Sequence, residues 1–310
     1  MSGEAGWLVA VVLSVVGAAT PLLLAATGEL VAERSGVLNL GVEGMMLVGA
    51  VAAFAAASTT GSDTLGILAG AAAGAAMALV FAVLALSLLA NQVATGLAIT
   101  IFGVGLSALA GSGFVGIALE PLPGLAVPGL SDLPVVGRLL FGQDVLVYLS
   151  LAMVGAVAYF LGRTRLGLIL RAVGDSHDAA HAIGYPVVAI RYAATAFGGL
   201  MSGLAGAYMS LAYTPMWAEN MTAGRGWIAL ALVVFATWRP WRLLAGAYLF
   251  GGITILQLHA QGAGIAVPSQ VMSMLPYLAT IAVLVVISRD RAKIRSSAPA
   301  SIGKAFHPAG

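Results

Sequence analysis

Residues 163–191 read RTRLGLILRAVGDSHDAAHAIGYPVVAIR, a polar segment within an otherwise apolar chain. The segment holds four arginines, two aspartates and two of the chain's four histidines. Apolar runs precede and follow it, and runs of this kind are typical of segments that cross a bilayer. A charged loop between two such runs predicts a contact with something soluble, which makes the loop the first clue to function.

The composition places the chain among membrane proteins. Hydrophobic residues make up 60% of its 310 residues and charged residues only 8%, whereas soluble domains carry roughly 25% charged residues. A net charge of +2 does not favour nucleic-acid binding. Because the chain has no cysteine, disulfides, thiolate metal sites and cysteine nucleophiles are excluded. We therefore predict an all-α polytopic membrane protein that contacts membrane lipid.

Nine apolar segments approach the length of about 20 residues that a membrane span requires. Because several are short or polar, the sequence predicts about 8–10 transmembrane helices. The nine segments are residues 7–27, 37–58, 64–90, 93–111, 145–161, 192–213, 226–238, 244–260 and 271–288.

The basic residues predict the orientation, because cytoplasmic loops carry an excess of lysine and arginine. If residues 162–191 form a cytoplasmic loop, alternating the spans puts 12 of the 14 basic residues inside, and only Arg138 and Arg225 outside. The Pro- and Gly-rich loop 112–144 is then an external cap. We predict a transmembrane domain of residues 1–290 and a disordered cytoplasmic tail of residues 291–310.

Two of the apolar segments look interrupted. Residues 226–238 would span only about 20 Å as a helix, which is short of the roughly 30 Å hydrocarbon core. Residues 36–46, GVLNLGVEGMM, place Asn39 and Glu43 one helical turn apart among three glycines. The predicted topology runs these two segments in opposite directions. Such a pair is typical of an inverted repeat with the substrate route at the repeat interface.

Glycines recur every four residues at Gly66, Gly70 and Gly74, and again at Gly199 and Gly203. This spacing aligns small residues on one helix face, where they let two helix backbones approach closely. We expect packing within the chain, with an oligomer contact as the alternative.

Polar residues within or beside the predicted spans are candidates for the substrate pathway. Glu43 is the only carboxylate well inside a predicted span, and such a charge marks a pathway, a relay or a buried partner. A structural hydrogen bond is the alternative. A second polar cluster lies at a span boundary, where capping or hinging is favoured over binding. The candidate pathway residues are Asn39, Glu43, Asn91, Gln92 and Thr95.

Motifs of catalysis and metal binding are weak or missing. His177 and His181 have the i, i+4 spacing of a helical zinc site, but no third ligand is evident, so we predict no metal site. The sequence contains no G-x-x-x-x-G-K-[ST] motif for ATP binding and no G-x-S-x-G motif for a nucleophilic serine. We therefore expect a non-enzymatic chain without a cofactor of its own.

A short helix with defined ends is predicted within the polar loop. Asp175 is placed to N-cap residues 176–183, with Asp178 at the N3 position of a capping-box-like arrangement. Gly184 is placed to terminate the helix, and Pro186 prevents its continuation. Its small alanine faces suit insertion into a groove on another protein. An amphipathic helix lying on the membrane is the alternative.

Four stretches resemble a family of ABC importer permeases, the one that serves branched-chain amino acids, ribose-type sugars and nucleosides. TRLGLILRAVGDSHDAAHAIGY (164–185) is similar to the family's coupling-helix loop. RSGVLNLGVEGMMLVGA (34–50) resembles the first conserved block of its nucleoside and simple-sugar branch. NQVATGLA (91–98) and GWIALALVVFATWRP (226–240) fit two further blocks. One departure is Thr237–Pro240, where many family members carry a glycine-rich turn.

The resemblance implies a permease subunit of an ATP-binding-cassette importer for nucleosides or simple sugars, with residues 1–290 as its permease domain in the bacterial cytoplasmic membrane. It implies a second permease subunit, often non-identical, and an external substrate-binding lipoprotein. A cytosolic ATPase subunit would bind the ATP and Mg²⁺ and receive the coupling helix in a groove. The implied coupling residues are Gly174, Asp175, Ser176, His177, Asp178, Ala179, Ala180, His181 and Gly184.

Two other classes of function compete with this interpretation. A stand-alone secondary transporter would use Glu43 as a proton or sodium site and need no ATPase. A membrane enzyme is less favoured, because no nucleophile–base pair or metal-ligand set is visible in the sequence.

Overall fold

The computed structural model of the chain describes residues 3–125, 129, 131, 136–262 and 298–307, with isolated positions between 271 and 285. These residues form eleven α-helices. They are α1 (Gly3–Arg34), α2 (Val42–Thr60), α3 (Asp63–Ala82), α4 (Gln92–Gly111), α5 (Val136–Phe141), α6 (Val145–Arg163), α7 (Arg165–Asp175), α8 (His177–Ala182), α9 (Val187–Tyr208), α10 (Arg225–Phe235) and α11 (Pro240–Gly262). Short π-helical segments, Val83–Ser87 and Met209–Tyr213, continue α3 and α9.

The prediction of an all-α polytopic membrane protein is confirmed. Seven helices of the described part are long and apolar enough to cross a membrane, namely α1, α2, α3, α4, α6, α9 and α11. Each coincides with one predicted span. The predicted short span 226–238 is the short apolar helix α10, and the predicted span 271–288 lies outside the continuously described residues.

Local chemistry sets several of the helix boundaries. The Ser62 hydroxyl accepts a hydrogen bond from the Leu65 amide and begins α3, and the Asp144 carboxylate accepts from two amides at the start of α6. Gly61, with φ of 69°, ends α2 in the left-handed conformation that glycine adopts without strain. Such caps satisfy backbone groups that helix ends leave without a partner.

Helix α1 is longer than the predicted span 7–27, because it continues to Arg34. The apolar pattern stops at residue 27, since Glu29 and Glu33 follow, yet both side chains are only 1% exposed. The prediction that Glu43 is the only carboxylate inside a span is therefore wrong. The long helix tolerates the two acids because hydrogen-bond donors from other segments reach them. The Asn39 amide donates to Glu29, and the Trp238 indole N–H donates to Glu33.

The centre of the bundle is a backbone-to-backbone contact of α2, α3 and α9. A Cβ built on Gly74 would lie 2.2 Å from the carbonyl oxygen of Gly199, and one on Gly203 would lie 2.2 Å from that of Gly70. One turn further along α9, a Cβ on Gly206 would lie 2.0 Å from the carbonyl oxygen of Met46 in α2. Only glycine fits at these crossings, and the prediction that the glycine rows serve packing within the chain is confirmed.

Basic residues gather at one end of the bundle, which we call the basic end. Arg34, at the end of α1, lies within electrostatic reach of Arg171 and Arg239. Arg191, near the start of α9, donates to the carbonyl of Lys304 at 3.1 Å. Arg225 instead lies at the start of α10 and donates to the Thr222 carbonyl. This clustering matches the charge asymmetry of the sequence, and the assignment of the basic end to the cytoplasm stays a prediction.

The prediction of a disordered tail at 291–310 is wrong for the part that the structure describes. Residues 298–307, which we call the C-terminal strap, fold against the basic end. The Ser301 amide donates to the Gly174 carbonyl at 2.9 Å, and the Gly303 amide donates to the Gly36 carbonyl at 3.1 Å. Phe306 is only 4% exposed. The strap is ordered because its backbone finds hydrogen-bond partners on other elements, which its composition does not reveal.

The loop 112–144 is largely irregular where it is described. It begins with a 3₁₀ turn at Ser112–Phe114 and contains the short helix α5. Isolated bridges tie Val115 to Trp217 and Ala118 to Met216. The loop therefore packs on the segment before α10, at the end of the bundle away from Arg34.

Candidate transport and coupling sites

The carboxylate of Glu43 joins the start of α2 to the start of α10. One of its oxygens accepts from the Thr222 hydroxyl at 2.6 Å and from the Gly224 amide at 2.8 Å. The other accepts from the Gly226 amide at 2.6 Å. A carboxylate at a helix N-terminus satisfies amides that have no partner within the helix and complements the helix dipole. Glu43, 7% exposed, therefore caps α10 from a different helix.

Gly226 makes this cap possible. A Cβ on Gly226 would lie 2.5 Å from the Glu43 Cα atom, so the two backbones are in direct contact. The alternative prediction for Glu43, a structural hydrogen bond, is confirmed. A role in the substrate route remains a prediction.

Both segments that looked interrupted in sequence are interrupted helices. The linker 35–41 separates α1 from α2, and residues 214–224 separate the end of α9 from α10. α10 has 11 residues, about 16 Å of helix, and it runs toward the basic end, where Arg34 donates to the Trp238 carbonyl at 3.0 Å. In membrane proteins, non-helical backbone at depth is buried in protein or lines a cavity. The inverted repeat of the whole chain stays a prediction.

Asn39 shapes the linker 35–41. Its side-chain oxygen accepts from the Gly41 backbone amide at 2.9 Å, and the Asn39 backbone amide donates to the Glu29 carboxylate at 3.2 Å. Its side-chain nitrogen contacts the Met45 sulfur at 3.4 Å. Asn39 is 1% exposed and acts here as a buried turn residue that directs the chain into α2.

Helix α4 packs against the same linker. Gln92 accepts from the Leu38 amide at 2.8 Å and donates to the Lys304 carbonyl at 3.3 Å. Thr95 is buried on α4, one residue before Gly96, where a Cβ would lie 2.6 Å from the Leu40 nitrogen. α4 thus contacts the linker in two ways, through the Gln92 side-chain hydrogen bond and through close backbone packing at Gly96.

Asn91 stands apart from the other four candidates. It is exposed, and its side-chain oxygen accepts from the Ala94 amide at 3.0 Å as the N-cap of α4. The structure therefore brings Asn39, Gln92 and α4 together around the linker, places Glu43 at α10, and leaves Asn91 at the surface.

Sequence reasoning missed an aromatic and cationic group beside the start of α10. The Arg225 guanidinium lies 5.4 Å from the centre of the Tyr213 ring, a cation–π contact. Tyr208 and Tyr213 lie with ring centroids 6.5 Å apart. Tyr213 ends the π-helical segment Met209–Tyr213, and such segments recur at functional sites. No local motif could have found the group, because its members come from separate turns and segments.

Thr237–Pro240 stand where many family members carry a glycine-rich turn. In this chain two non-glycine residues of the segment adopt the left-handed backbone conformation. Thr237 and Trp238 have φ of 50° and 52°, a conformation that costs roughly 1–2 kcal/mol per residue for L-amino acids. Side-chain bonds offset this strain. Arg242 donates to the Thr237 hydroxyl at 2.7 Å, and Trp238 donates to Glu33. The corner keeps a glycine-like conformation although its residues differ.

An apolar cavity of about 590 Å³ lies between α6, α7 and α9. Its lining is almost entirely apolar and includes Met153, Phe160, Ile190 and Phe197. Such a lining offers few hydrogen-bond partners to a polar solute, so the cavity does not favour a polar substrate.

The predicted docking helix exists as α8, with one correction at its start. Ser176, not Asp175, is the N-cap, because the Ser176 hydroxyl accepts from the Ala179 amide at 3.2 Å. Asp175 is instead the last residue of α7. Asp178 consequently occupies the second helical position, and its predicted N3 position is wrong. The sequence misled here because Asp and Ser are both strong caps and stand side by side.

The predicted end of α8 is confirmed. Gly184 has φ of 90°, its amide donates to the His181 carbonyl at 2.8 Å, and the Tyr185 amide donates to the Ala180 carbonyl at 3.1 Å. This pattern is a left-handed glycine termination. Among the described residues, no atom of another element lies within 4 Å of a Cβ placed on Gly184, so the residue serves conformation and not close packing.

α8 has a buried face and an exposed face. His177 and Ala180 are buried, and the Phe306 ring lies with its centroid 5.8 Å from that of His177 and 5.4 Å from that of His181. The exposed residues are Asp178, Ala179, His181, Ala182, Ile183 and Gly184. Ile183 is 69% exposed, which places an apolar side chain at the tip of the loop. The coupling role of these residues remains a prediction.

The pKa of His177 is lowered to about 4, mainly by burial. The positive charges of Arg191 and Lys304 also lower this pKa, whereas the negative charge of Asp178 opposes them. A released α8 would bind the proton near pH 6.5. Above pH 6.5 both states are neutral and the packing of α8 on the strap is at full strength. As the pH falls from 6.5 toward 4, only the released state gains a proton, so the packed state weakens.

We expect the ratio of packed to released α8 to fall by roughly tenfold between pH 7.5 and pH 5.5. Hydroxyl-radical footprinting of Phe306 measures this ratio, because the ring becomes reactive when α8 leaves it. The matched variant His177→Gln, which cannot titrate, should show no difference between the two pH values. Equal protection of Phe306 at both pH values in the unsubstituted chain would contradict a pH dependence caused by His177.

Within the described ranges, no three His, Cys, Asp or Glu side chains come together as a potential metal site. His177 and His181 instead share a contact with the Phe306 ring. The histidine pair therefore has a packing role in this part of the chain.

Comparison with known proteins gives the class of the chain. The profile of the family described as branched-chain amino acid transport system / permease component matches residues 11–284. The chain belongs to this family of multi-pass membrane permeases.

Three relatives are similar over most of their length. TsgC13 of Haloferax volcanii, an ABC transporter permease protein named for glucose, is 44% identical over 99% of this chain and 99% of its own. The guanosine ABC transporter permease protein NupQ of Bacillus subtilis is 33% identical over 86% of this chain and 88% of its own. The nucleoside ABC transporter permease protein NupC of Lactococcus lactis is 34% identical over the same shares. No solved structure matches the chain.

Proposed function

We propose that this chain forms the membrane pathway of an ATP-binding-cassette importer for nucleosides or simple sugars. Family membership supports the permease role, and the names of three relatives support the substrate class. Glucose and nucleosides share a hydroxylated sugar ring, which is the chemistry we assign to the substrate. Beside the start of α10, the aromatic face of Tyr213 and the cation of Arg225 are groups that bind such rings and bases.

The exposed face of α8 is the main support for this function. A two-turn helix capped by Ser176 and terminated by Gly184 presents Asp178 and Ile183 to solvent at the basic end. An exposed apolar side chain on a fixed helix is suited to a groove on a partner protein. The partner we propose is a cytosolic ATPase subunit that binds ATP and Mg²⁺ and supplies the energy.

The remaining components follow from this arrangement. A second permease subunit would complete the pore, and an external substrate-binding lipoprotein would deliver the substrate. The basic end and the C-terminus would face the cytoplasm of a bacterial cell, in agreement with the excess of basic residues there.

The geometry does not favour the alternative of an ion-coupled secondary transporter that uses Glu43. Both oxygens of this carboxylate already accept hydrogen bonds from three donors at 2.6 to 2.8 Å. A proton or sodium ion would have to displace donors that cap α10.

Substitution of the exposed face of α8 tests the proposal. We expect Ile183→Glu and Asp178→Lys each to lower ATP-driven uptake by roughly tenfold or more, because an interface centre is intolerant of a buried charge or a reversed one. Uptake of labelled guanosine and of labelled glucose is measured in vesicles that contain the ATPase and the binding protein. Co-purification of the ATPase reports docking directly.

The matched control is Glu219→Lys, a charge reversal at an exposed carboxylate on the segment before α10. It should leave ATPase co-purification unchanged. Unaltered uptake in both α8 variants would show that this helix does not dock the ATPase. Uptake that persists without ATP and collapses with the ion gradient would instead support the secondary transporter.

A further inference from the structure

The C-terminal strap lies across the basic end and contacts several separate elements. Besides its amide bond to Gly174, Ser301 donates through its hydroxyl to the Asp175 carbonyl at 3.3 Å, at the junction of α7 and α8. Two residues later, the Gly303 amide donates to the Gly36 carbonyl at 3.1 Å, on the linker 35–41. The strap thus connects the base of α8 to the linker by hydrogen bonds.

The Lys304 carbonyl is a meeting point of three elements. It accepts from the Arg191 guanidinium of α9 at 3.1 Å and from the Gln92 amide of α4 at 3.3 Å. Arg191, 2% exposed, also donates to the Gly36 carbonyl at 3.2 Å. Charge-assisted hydrogen bonds of a buried guanidinium hold their partners in defined positions. The strap is therefore fixed to α9, α4 and the linker at one point.

Phe306 ties the strap to α8 itself. The ring is buried in a cluster with Val173, Ala180 and Val187, which belong to α7, α8 and α9. Its edge-on contacts with His177 and His181 cover the inner face of α8. Aromatic contacts of this kind add to the burial of apolar area.

The linker reached by the strap leads directly to the Glu43 cap. It contains Asn39, and α2 begins with Val42 and Glu43, whose carboxylate holds the start of α10. The linker and the end of α1 before it are also in close contact with α7 and α8. A Cβ on Gly36 would lie 2.8 Å from the His177 ring, and one on Gly174 would lie 2.1 Å from the Arg34 carbonyl oxygen. Closely packed groups transmit displacement because there is no free volume to absorb it.

We propose that the C-terminal strap transmits the displacement of α8 to the linker 35–41 and the Glu43 cap, with Phe306 as the residue that positions α8. This inference rests on the proposed function, in which α8 receives the motion of the ATPase. The strap combines the buried Phe306 ring with hydrogen bonds to four other elements, namely α4, α7, α9 and the linker. The strap makes the end of the chain a part of the coupling machinery.

The test compares Phe306→Ala with Phe306→Leu, which keeps an apolar side chain in the cluster. The readout is the number of ATP molecules hydrolysed per substrate molecule transported, measured on the complete transporter in proteoliposomes. We expect Phe306→Ala to raise this ratio by roughly three- to tenfold, the factor that corresponds to loss of the aromatic contacts. Phe306→Leu should fall between Phe306→Ala and the unsubstituted chain. ATPase co-purification should persist in both, because the exposed face of α8 is unchanged.

The matched control is His307→Ala, which alters the exposed neighbour on the same strap and should keep the original ratio. An unchanged ratio in Phe306→Ala would overturn the inference and leave the proposed function intact. Failure of the ATPase to bind even the unsubstituted chain would instead overturn the proposed function. If Phe306→Ala does not insert into the membrane, Phe306→Leu decides alone: a raised ratio supports transmission and an unchanged ratio overturns it.

Discussion

Replacement of Glu43 by alanine is expected to destabilise the folded chain by about 3–5 kcal/mol and to abolish transport. The substitution removes an acceptor of three hydrogen bonds and leaves the amides of Gly224 and Gly226 without a partner. It also removes the negative charge at the N-terminus of α10. Because α10 has only 11 residues, it has few internal hydrogen bonds with which to hold its place after the cap is lost.

Thermal unfolding in nanodiscs, followed by intrinsic tryptophan fluorescence, measures the loss of stability. Glu43→Gln should be harmful but less so than alanine, because its amide oxygen can still accept from Thr222 and Gly224 while its NH2 group faces the Gly226 amide, which is itself a donor. Glu219→Gln changes an exposed carboxylate on the segment before α10 and should leave the midpoint within about 1 °C, as surface substitutions usually do. Normal stability of Glu43→Gln would show that something other than this carboxylate holds α10.

Replacement of Gly206 by alanine is expected to destabilise the central bundle by about 3 kcal/mol, the upper end of the usual cost of overpacking, and to reduce the yield of folded protein strongly. The new Cβ would lie 2.0 Å from the Met46 carbonyl oxygen and 2.7 Å from the Ala50 nitrogen. Both are backbone atoms of α2, so no side-chain rotation relieves the clash. α9 would have to move away from α2, and the hydrogen bond from Ser210 to the Ala50 carbonyl at 2.9 Å would be lost.

The amount of monodisperse protein extracted from membranes, seen by fluorescence-detected size exclusion, measures this effect. Gly155→Ala is the matched control on α6, since no atom in the described part of the chain lies within 4 Å of its added Cβ. It should fold normally and gain up to about 1 kcal/mol from the higher helix propensity of alanine. Equal yields of the two variants would contradict the direct contact of α9 with α2.

Much of the fold was predictable because the bilayer imposes one dominant requirement. A span must be apolar over its length, so α3, α4, α6 and α9 follow from hydropathy alone. α1 shows where this rule fails. Glu29 and Glu33 end the apolar pattern, yet the helix continues. The Asn39 backbone amide in the following linker donates to Glu29, and the Trp238 indole, far along the chain, donates to Glu33. Such compensation depends on the assembled structure, and no window of sequence reveals it.

The candidate site shows the same division. The end of α8 was predictable, since a left-handed glycine termination is a local event at Gly184. Its start was displaced by one residue, because Asp175 and Ser176 are both competent caps. The partners of Glu43 and the docking of Phe306 depend on contacts between residues more than a hundred positions apart. The sequence predicted which residues were unusual, and only the assembled structure showed what they contact.

The glycine contacts of α2, α3 and α9 also bear on how a transport cycle can proceed. Helices separated by a layer of flexible side chains can slide past one another by repacking that layer. At the crossings of α3 with α9 and of α9 with α2 there is no such layer, and a shift along either axis would drive Cβ atoms into carbonyl oxygens. These three helices must therefore turn as a single block. Relative motion of the helices then occurs at the boundary of the block, where the linker 35–41 and α10 meet it.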